Sequence, residues 1–167
     1  LYPFVIERQP LVIKIVDDYQ DSELARYYVD LGCVRYSYDE QGAVVGEDRY
    51  KPLDGYIDAW LRAGSARNHI SILGAYGTGK TSFCRQYAAR PGRRWLVDPD
   101  RERIPVLINL RDYTKTLEVG SLITGALVNQ YGIRGATYQA FMRYNRDGKL
   151  LIMFDGFDEM AQRTGMR

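Results

Sequence analysis

The sequence predicts an α/β fold with a mostly parallel sheet, and two patterns indicate it. Short apolar runs of strand length occur at Leu11–Val16, His69–Leu73, Ile104–Leu110 and Leu150–Asp155. Between them, apolar residues recur at the three- and four-residue spacing of amphipathic helices. Continuous apolar strands that alternate with such helices are typical of a parallel sheet covered by helices.

Composition places the chain among ordinary globular proteins. Its 167 residues fit one domain, and 46% are hydrophobic and 26% charged. The net charge of +2 provides no large basic field, so we predict no direct binding to nucleic acid or membranes. No run approaches the length of about 18 apolar residues needed to span a bilayer, and we expect a cytoplasmic protein in which Cys33 and Cys84 are reduced packing residues.

Residues 1–50 are interpreted as a lead-in or linker region. A buried strand is predicted at Leu11–Val16, followed by a helix from Leu24 to Leu31. Residues 37–51 contain several turn-forming residues, which indicate a hairpin or an exposed loop. The domain proper is predicted to occupy residues 51–167.

The helical pattern becomes clear after Pro52, where Leu53–Leu61 should form an amphipathic helix. His69–Leu73 is predicted to be a strand that leads directly into a glycine-rich loop. A helix should follow the loop, with Phe83–Ala88 contributing its apolar face, and should end at Pro91–Gly92.

The second half of the domain continues the alternation. Ile104–Leu110 is predicted to be a buried strand, and helices should begin at Ser121 and Thr137. A turn at Asn145–Gly148 precedes a third strand, which ends at Asp155. This last apolar run therefore delivers a carboxylate to a strand end.

The glycine-rich loop has the spacing Gly-x-x-x-x-Gly-Lys-Thr of a phosphate-binding loop. Its glycines would let the backbone curl around phosphates, Lys80 would reach the β- and γ-phosphates, and the Thr81 hydroxyl would bind Mg²⁺. The alternative is an accidental glycine turn, but a strand before and a helix after favour a site for ATP or ADP. The predicted nucleotide-binding residues are Gly74, Ala75, Tyr76, Gly77, Thr78, Gly79, Lys80, Thr81 and Ser82.

The acidic end of the last strand provides the second half of such a site. Asp155 would be the second Mg²⁺ anchor beside Thr81. Asp158 and Glu159 follow, and one of these carboxylates could polarise an attacking water. In the competing interpretation both residues only stabilise the N-terminus of the next helix.

Three segments together resemble the NACHT domain of the STAND signal-transducing ATPases. They are Gly-Ala-Tyr-Gly-Thr-Gly-Lys-Thr-Ser at 74–82, Ile-Pro-Val-Leu-Ile-Asn-Leu-Arg-Asp at 104–112 and Leu-Leu-Ile-Met-Phe-Asp-Gly-Phe-Asp-Glu at 150–159. The resemblance covers about residues 50–167. It implies a RecA/AAA-like P-loop NTPase sheet that is incomplete, because the chain ends soon after the Walker B strand.

The resemblance also implies function. NACHT proteins include animal NOD-like receptors and bacterial antiphage defence proteins, and they switch between an ADP-bound resting state and an ATP-bound oligomer. Self-association, an upstream effector and a downstream sensor in the same polypeptide are therefore expected. Lys80 and Thr81 match Walker A, Asp155 matches Walker B, and Asp158 and Glu159 match the adjacent acidic pair.

Other positions of the resemblance have open interpretations. Tyr76 replaces the usual small residue or proline, and would cover the phosphates or merely pack. Arg111 and Asp112 match a strand-end motif of the family, but an ordinary exposed ion pair explains them equally well. Tyr28-Val29 resembles an adenine-contacting segment, although a helix core explains it as well.

Two other classes of function compete with a switch. A metabolic P-loop kinase or hydrolase would share the loop, but the Asp-Gly-Phe-Asp-Glu string at 155–159 argues against it. A nucleotide-dependent scaffold would bind ATP with little hydrolysis, whereas the acidic cluster favours slow hydrolysis. A GTPase is disfavoured because the chain lacks Asn-Lys-x-Asp, and the lone His69 is interpreted as a packing or surface residue.

Overall fold

The computed structural model describes residues 7–63, 69–112 and 118–164, which form an α/β protein. The chain divides into two compact units, here called the sheet unit (Leu1–Arg26 with Thr81–Arg167) and the hairpin unit (Tyr27–Lys80). The helices are α1 Arg8–Gln20, α2 Leu24–Tyr27, α3 Leu53–Arg62, α4 Lys80–Val97, α5 Val119–Gly125, α6 Tyr138–Arg146 and α7 Phe157–Thr164; the strands are β1 Cys33–Tyr38, β2 Val44–Tyr50, β3 Ile104–Asn109 and β4 Leu150–Asp155.

The sheet unit is built around the parallel pair β3 and β4. Ile104 lies opposite Leu150, and the register continues without a break to Asn109 opposite Asp155. Both strands were predicted, as was the parallel character of the sheet, and both predictions are confirmed. Since parallel strands end at the same edge, the residues that follow Asn109 and Asp155 are brought side by side.

In the core of the sheet unit, helices pack against β3. Val106 and Ile108 of β3 are at most 1% exposed, as are Leu127 and Phe141. Burial of these side chains provides the main stabilisation of the unit. The remaining buried members of the same cluster are Leu11, Val12, Ile15, Val16, Ala88, Trp95, Ile104, Leu110, Ile123, Tyr131, Ile133, Ala136, Ala140, Leu150 and Met160.

The predicted strand at Leu11–Val16 is wrong, because this segment lies within α1. The buried residues of α1 are Leu11, Val12, Ile15, Val16 and Tyr19. Their spacing of one and four residues places them on one helical face, which extends beyond the short run considered from the sequence. The helix buries that face in the core of the sheet unit.

The predicted end of α4 at Pro91–Gly92 is also wrong, because the helix continues to Val97. Proline removes one helical hydrogen bond, but Pro91, Gly92 and Trp95 are all buried. A Cβ on Gly92 would lie 3.0 Å from Cγ2 of Val16. Close packing of α1 on this part of α4 therefore offsets the local cost of the proline.

The helices between β3 and β4 agree with their predicted starts. α5 begins at Val119, two residues before the predicted position, and continues as a π-helical turn over Ala126–Gln130. Thr137 caps α6, since its Oγ1 accepts a hydrogen bond of 3.2 Å from the Ala140 N–H. Both predicted helices are confirmed.

Side chains close the edge of β3 that faces away from β4. The Tyr131 hydroxyl donates to the Leu107 carbonyl and accepts from the Leu107 N–H at 3.1 Å. Gln130 Nε2 donates to the same carbonyl, also at 3.1 Å. These contacts satisfy the backbone groups that an edge strand leaves open to another strand.

The hairpin unit contains the antiparallel pair β1 and β2 and the helix α3. The turn between the strands is held by Asp39 Oδ1, which accepts from the N–H groups of Gln41 at 3.0 Å and Ala43 at 2.8 Å. Leu53 and Ile57 are the buried apolar residues of α3. The predicted hairpin and helix are both confirmed.

The predicted helix from Leu24 to Leu31 is shorter than expected and ends at Tyr27. Tyr27, a residue of the predicted apolar face, is 74% exposed at this end of the helix. The Leu31 carbonyl instead accepts from the Leu53 N–H at 2.7 Å, which joins this segment to the start of α3.

The segment His69–Leu73, predicted to be a strand, has no strand structure. A parallel strand requires a hydrogen-bonded neighbour, and the strand pairs of the described residues are β1 with β2 and β3 with β4. Leu73 is consequently 91% exposed. Across the described ranges, none of the helices has the length and apolar character to span a bilayer.

Candidate functional site

The glycine-rich loop lies in the hairpin unit, directly before α4. Gly77 and Gly79 have φ values of 79° and 88°, the left-handed region that residues with a Cβ avoid. Gly74 is required for a different reason, because a Cβ there would lie 2.9 Å from Thr78 Oγ1. Each glycine of the motif therefore has its own backbone or packing requirement.

Lys80 folds back onto the loop that precedes it. Its Nζ donates to the carbonyl of Gly74 at 2.6 Å and to that of Ala75 at 3.1 Å. The hydroxyl of Thr78 donates to the Ala75 carbonyl at 2.8 Å. A phosphate oxygen is a stronger acceptor for an ammonium group than a carbonyl is, so an entering phosphate could compete for Lys80.

Thr81 and Asp155 form the centre of a polar cluster in the sheet unit. Thr81 lies in the first turn of α4 and Asp155 at the last position of β4. The Thr81 hydroxyl donates to Asp155 Oδ1 at 3.0 Å, although 74 positions separate them in the sequence. The two predicted metal ligands are thus brought into direct contact.

The donor atoms of this pair suit Mg²⁺. Hydroxyl and carboxylate oxygens are hard ligands, and adjacent oxygens of an octahedral Mg²⁺ at about 2.1 Å lie about 3 Å apart. Asp155 is 9% exposed, so a bound ion would also compensate a buried charge. Within the described ranges no group of three His, Cys, Asp or Glu side chains could hold a metal, and a Mg²⁺ here would need ligands from phosphate and water.

The two carboxylates predicted to polarise water lie in the first turn of α7. Asp158 is exposed, whereas Glu159 is partly buried and forms an ion pair with Arg111 Nε. Their place in the first turn also fits the helix-stabilising alternative, since negative charge is favourable there. The ion pair places Glu159 in the cluster.

Arg111 is the part of the cluster that sequence reasoning left undecided. Its Nη2 donates to Thr81 Oγ1 at 3.3 Å while its Nε pairs with Glu159. Arg111 therefore contacts both a predicted metal ligand and a predicted base. The sequence signals were its match to the strand-end motif of the NACHT family and its position at the end of a buried strand, two residues after Asn109.

Cys84 lies in α4 near the same carboxylate. Burial raises the pKa of its thiol to about 12, and the negative charge of Asp155 adds to the shift. The thiol is therefore protonated and unreactive at neutral pH, which agrees with the predicted packing role. The pKa of the Cys84 thiol therefore depends in part on the charge of Asp155.

The remaining predicted positions lie outside these two groups of contacts. Ser82 is partly buried in α4, and Tyr76 is 93% exposed, so Tyr76 does not pack in a core. Val29 is exposed, and Tyr28 is partly buried. His69 is exposed, as its surface interpretation predicted, and the side chain of Asp112 lies outside the described residues.

Comparison with known proteins adds a relative but no family. No protein-family model matches the chain, and no solved structure matches it. An uncharacterized WD repeat-containing protein of Nostoc sp. is 39% identical over 161 residues, which include 88% of this chain and 10% of that protein. The chain thus spans about a tenth of the length of the relative it matches.

Proposed function

We propose that the chain is the ATP- and Mg²⁺-binding module of a signal-transducing ATPase of the NACHT type. Such a protein would alternate between an ADP-bound resting state and an ATP-bound oligomer, as in innate immunity and antiphage defence. The contact between Thr81 and Asp155 is the observation that carries the proposal. It joins the residue after the phosphate-loop lysine to the carboxylate that ends a parallel strand, which is the relationship a Mg²⁺–nucleotide site requires.

The finer fold belongs to the same proposal. A P-loop NTPase places its phosphate loop after a strand of the parallel sheet, and here His69–Leu73 would be that strand. In this class a further strand separates it from the Walker B strand. The exposed Leu73 fits a segment whose neighbouring strand lies elsewhere in the polypeptide.

Each residue of the site has a chemical task in this proposal. Lys80 would meet the β- and γ-phosphates, and Thr81 and Asp155 would hold Mg²⁺, which neutralises phosphate charge. Glu159 would accept a proton from water as that water's oxygen attacks the γ-phosphorus. The bond from phosphorus to the β–γ bridging oxygen would break, giving ADP and inorganic phosphate.

The relative provides a context for the switch. A WD repeat-containing protein about ten times as long as the matching segment has room for many further domains. WD repeats form β-propellers, which present loops suited to binding partners. We propose that the parent of this chain likewise joins the nucleotide module to a repeat array that acts as its sensor.

A scaffold that binds ATP with little hydrolysis is the second candidate. The ion pair between Arg111 and Glu159 favours it, because the guanidinium occupies the carboxylate that would otherwise contact the attacking water. A metabolic kinase or hydrolase remains the alternative enzyme class. These candidates differ in whether nucleotide changes the mass of the protein.

The mass of the parent protein with ATP, with ADP and without nucleotide tests the proposal. Glu159→Gln should retain ATP and block its cleavage, so that the assembled population rises while turnover falls. Lys80→Ala is the binding control, and titration calorimetry should detect no ATP heat from it. Light scattering coupled to size-exclusion chromatography measures the assembly.

Four outcomes separate the candidates. Unchanged mass of wild type and Glu159→Gln in all three conditions, with the trigger present, would reject the switch. Wild-type ATP affinity in Lys80→Ala would reject the phosphate loop itself. Rapid turnover at constant mass would favour the metabolic enzyme, and binding without turnover at constant mass would favour the scaffold.

A further inference from the structure

The ion pair between Arg111 and Glu159 links the predicted base to the predicted metal site through one side chain. Arg111 Nε pairs with Glu159, Nη2 donates to Thr81, and Thr81 donates to Asp155. The guanidinium thus supplies positive charge next to the two oxygens that would bind Mg²⁺. Arg111 is therefore placed to respond to the metal and to control the carboxylate.

The local fold holds Arg111 in this position. The residue lies in the 3₁₀ turn Leu110–Asp112 after β3, and its N–H donates to Asn109 Oδ1 at 2.9 Å. Gly156 follows Asp155 with φ of 82°, and a Cβ there would lie 2.9 Å from Arg111 Cγ. Because position 156 has no Cβ, the Arg111 side chain can pass close to the backbone there and reach Glu159.

Stability does not account for this arrangement. The side chains of Arg111 and Glu159 are 38% and 32% exposed, and ion pairs with such access to water contribute little to folding. The contacts have a larger effect on the chemistry of the site. The ion pair holds the carboxylate of Glu159 in place, and the guanidinium repels a second cation at the neighbouring oxygens.

We propose that Arg111 is a positioning residue that restrains Glu159 until Mg²⁺ binds at Thr81 and Asp155. With Mg²⁺ held by Thr81 and Asp155, the guanidinium of Arg111 would move away from the like charge, and it would leave both Thr81 and Glu159. The break of the ion pair would leave Glu159 available to accept the proton from water. This inference rests on the proposed nucleotide site, and it makes hydrolysis conditional on metal loading.

Arg111→Gln in the parent protein tests the inference. Removing the charge should lower the Mg²⁺ concentration for half-maximal binding of a fluorescent ATP analogue by about tenfold, the effect of one neighbouring charge. Turnover at saturating Mg²⁺ should rise, while analogue affinity in EDTA changes less than twofold. Arg143→Gln, which removes an exposed arginine of α6, is the matched control and should behave as wild type.

Arg111→Lys keeps the charge and provides a second test if Arg111→Gln unfolds. It should retain the wild-type Mg²⁺ requirement, because a cation still lies near Thr81. An unchanged Mg²⁺ midpoint in a folded Arg111→Gln, or a lower turnover in it, would overturn the restraint while leaving the nucleotide site intact. Absence of analogue binding by wild type would instead reject the nucleotide site and the restraint together.

Discussion

Replacing Tyr131 with phenylalanine removes a single hydroxyl from the closed edge of β3. The Tyr131 ring is 4% exposed and keeps its packing in the variant. The hydroxyl both donates to the Leu107 carbonyl and accepts from the Leu107 N–H. Burial raises the pKa of Tyr131, so the hydroxyl remains a donor at neutral and mildly alkaline pH.

The expected loss of stability depends on which hydrogen-bond partners the Leu107 backbone groups keep in Tyr131→Phe. Gln130 Nε2 still donates to the Leu107 carbonyl, so that group keeps a partner. The Leu107 N–H loses its acceptor, and an unsatisfied donor in a partly buried place costs roughly 1–3 kcal/mol. We therefore expect the free energy of unfolding to fall by about 2 kcal/mol, or roughly 4–8 °C in melting temperature.

Urea unfolding of wild type and Tyr131→Phe measures this difference in the free energy of unfolding. An unchanged dependence of that free energy on urea concentration would confirm that the two proteins have the same folded state. Amide hydrogen exchange gives a local measurement, because the Leu107 N–H should exchange faster in Tyr131→Phe. Tyr144→Phe is the control, since the Tyr144 hydroxyl does not belong to this network. If Tyr131→Phe and Tyr144→Phe lose the same free energy of unfolding, or if the Leu107 N–H exchanges at an unchanged rate, the Tyr131 hydroxyl does not close the edge of β3.

Two further predictions concern packing and pH. Gly92→Ala should destabilise the sheet unit by about 1–2 kcal/mol. The new Cβ would lie 3.0 Å from Val16, and we expect this overpacking to cost more than the roughly 1 kcal/mol that alanine gains in helix propensity. A more stable variant in thermal unfolding would contradict this prediction. The raised pKa of Cys84 predicts that its thiol stabilises the folded state below pH 9, and that this contribution is lost as pH rises toward about 12. The free energy of unfolding should therefore decrease more steeply from pH 9 upward in wild type than in Cys84→Ala, and parallel pH curves would contradict the shift.

Sequence patterns predicted the elements of both units best where their signals were local. β4, α6 and the hairpin each carry their own signals, such as the Thr137 cap and the turn residues from Asp39 to Gly42. The segment Leu11–Val16 was misassigned because six residues, five of them apolar, cannot distinguish a strand from a buried helix. Its helical face is apparent only when Tyr19 is included.

Long-range contacts account for the other differences. Nothing local indicates that α4 continues past Pro91, since the stabilising contact comes from Val16 on α1. Likewise, motif spacing predicted that Thr81 and Asp155 would act together, but it did not predict that Arg111 would join them. The predicted strand at His69–Leu73 would need a hydrogen-bonded neighbour, and the strand pairs among the described residues do not include this segment.

The division of the sheet unit along the chain has a consequence for synthesis. α1 is made first, yet its partner strand β3 begins at Ile104, after the whole hairpin unit has been translated. At ordinary translation rates α1 would wait roughly 4–17 seconds for that strand. The apolar face of α1 is thus exposed to chaperones, or to other nascent chains, before its own core exists, whereas β1 and β2 can pair as soon as they emerge.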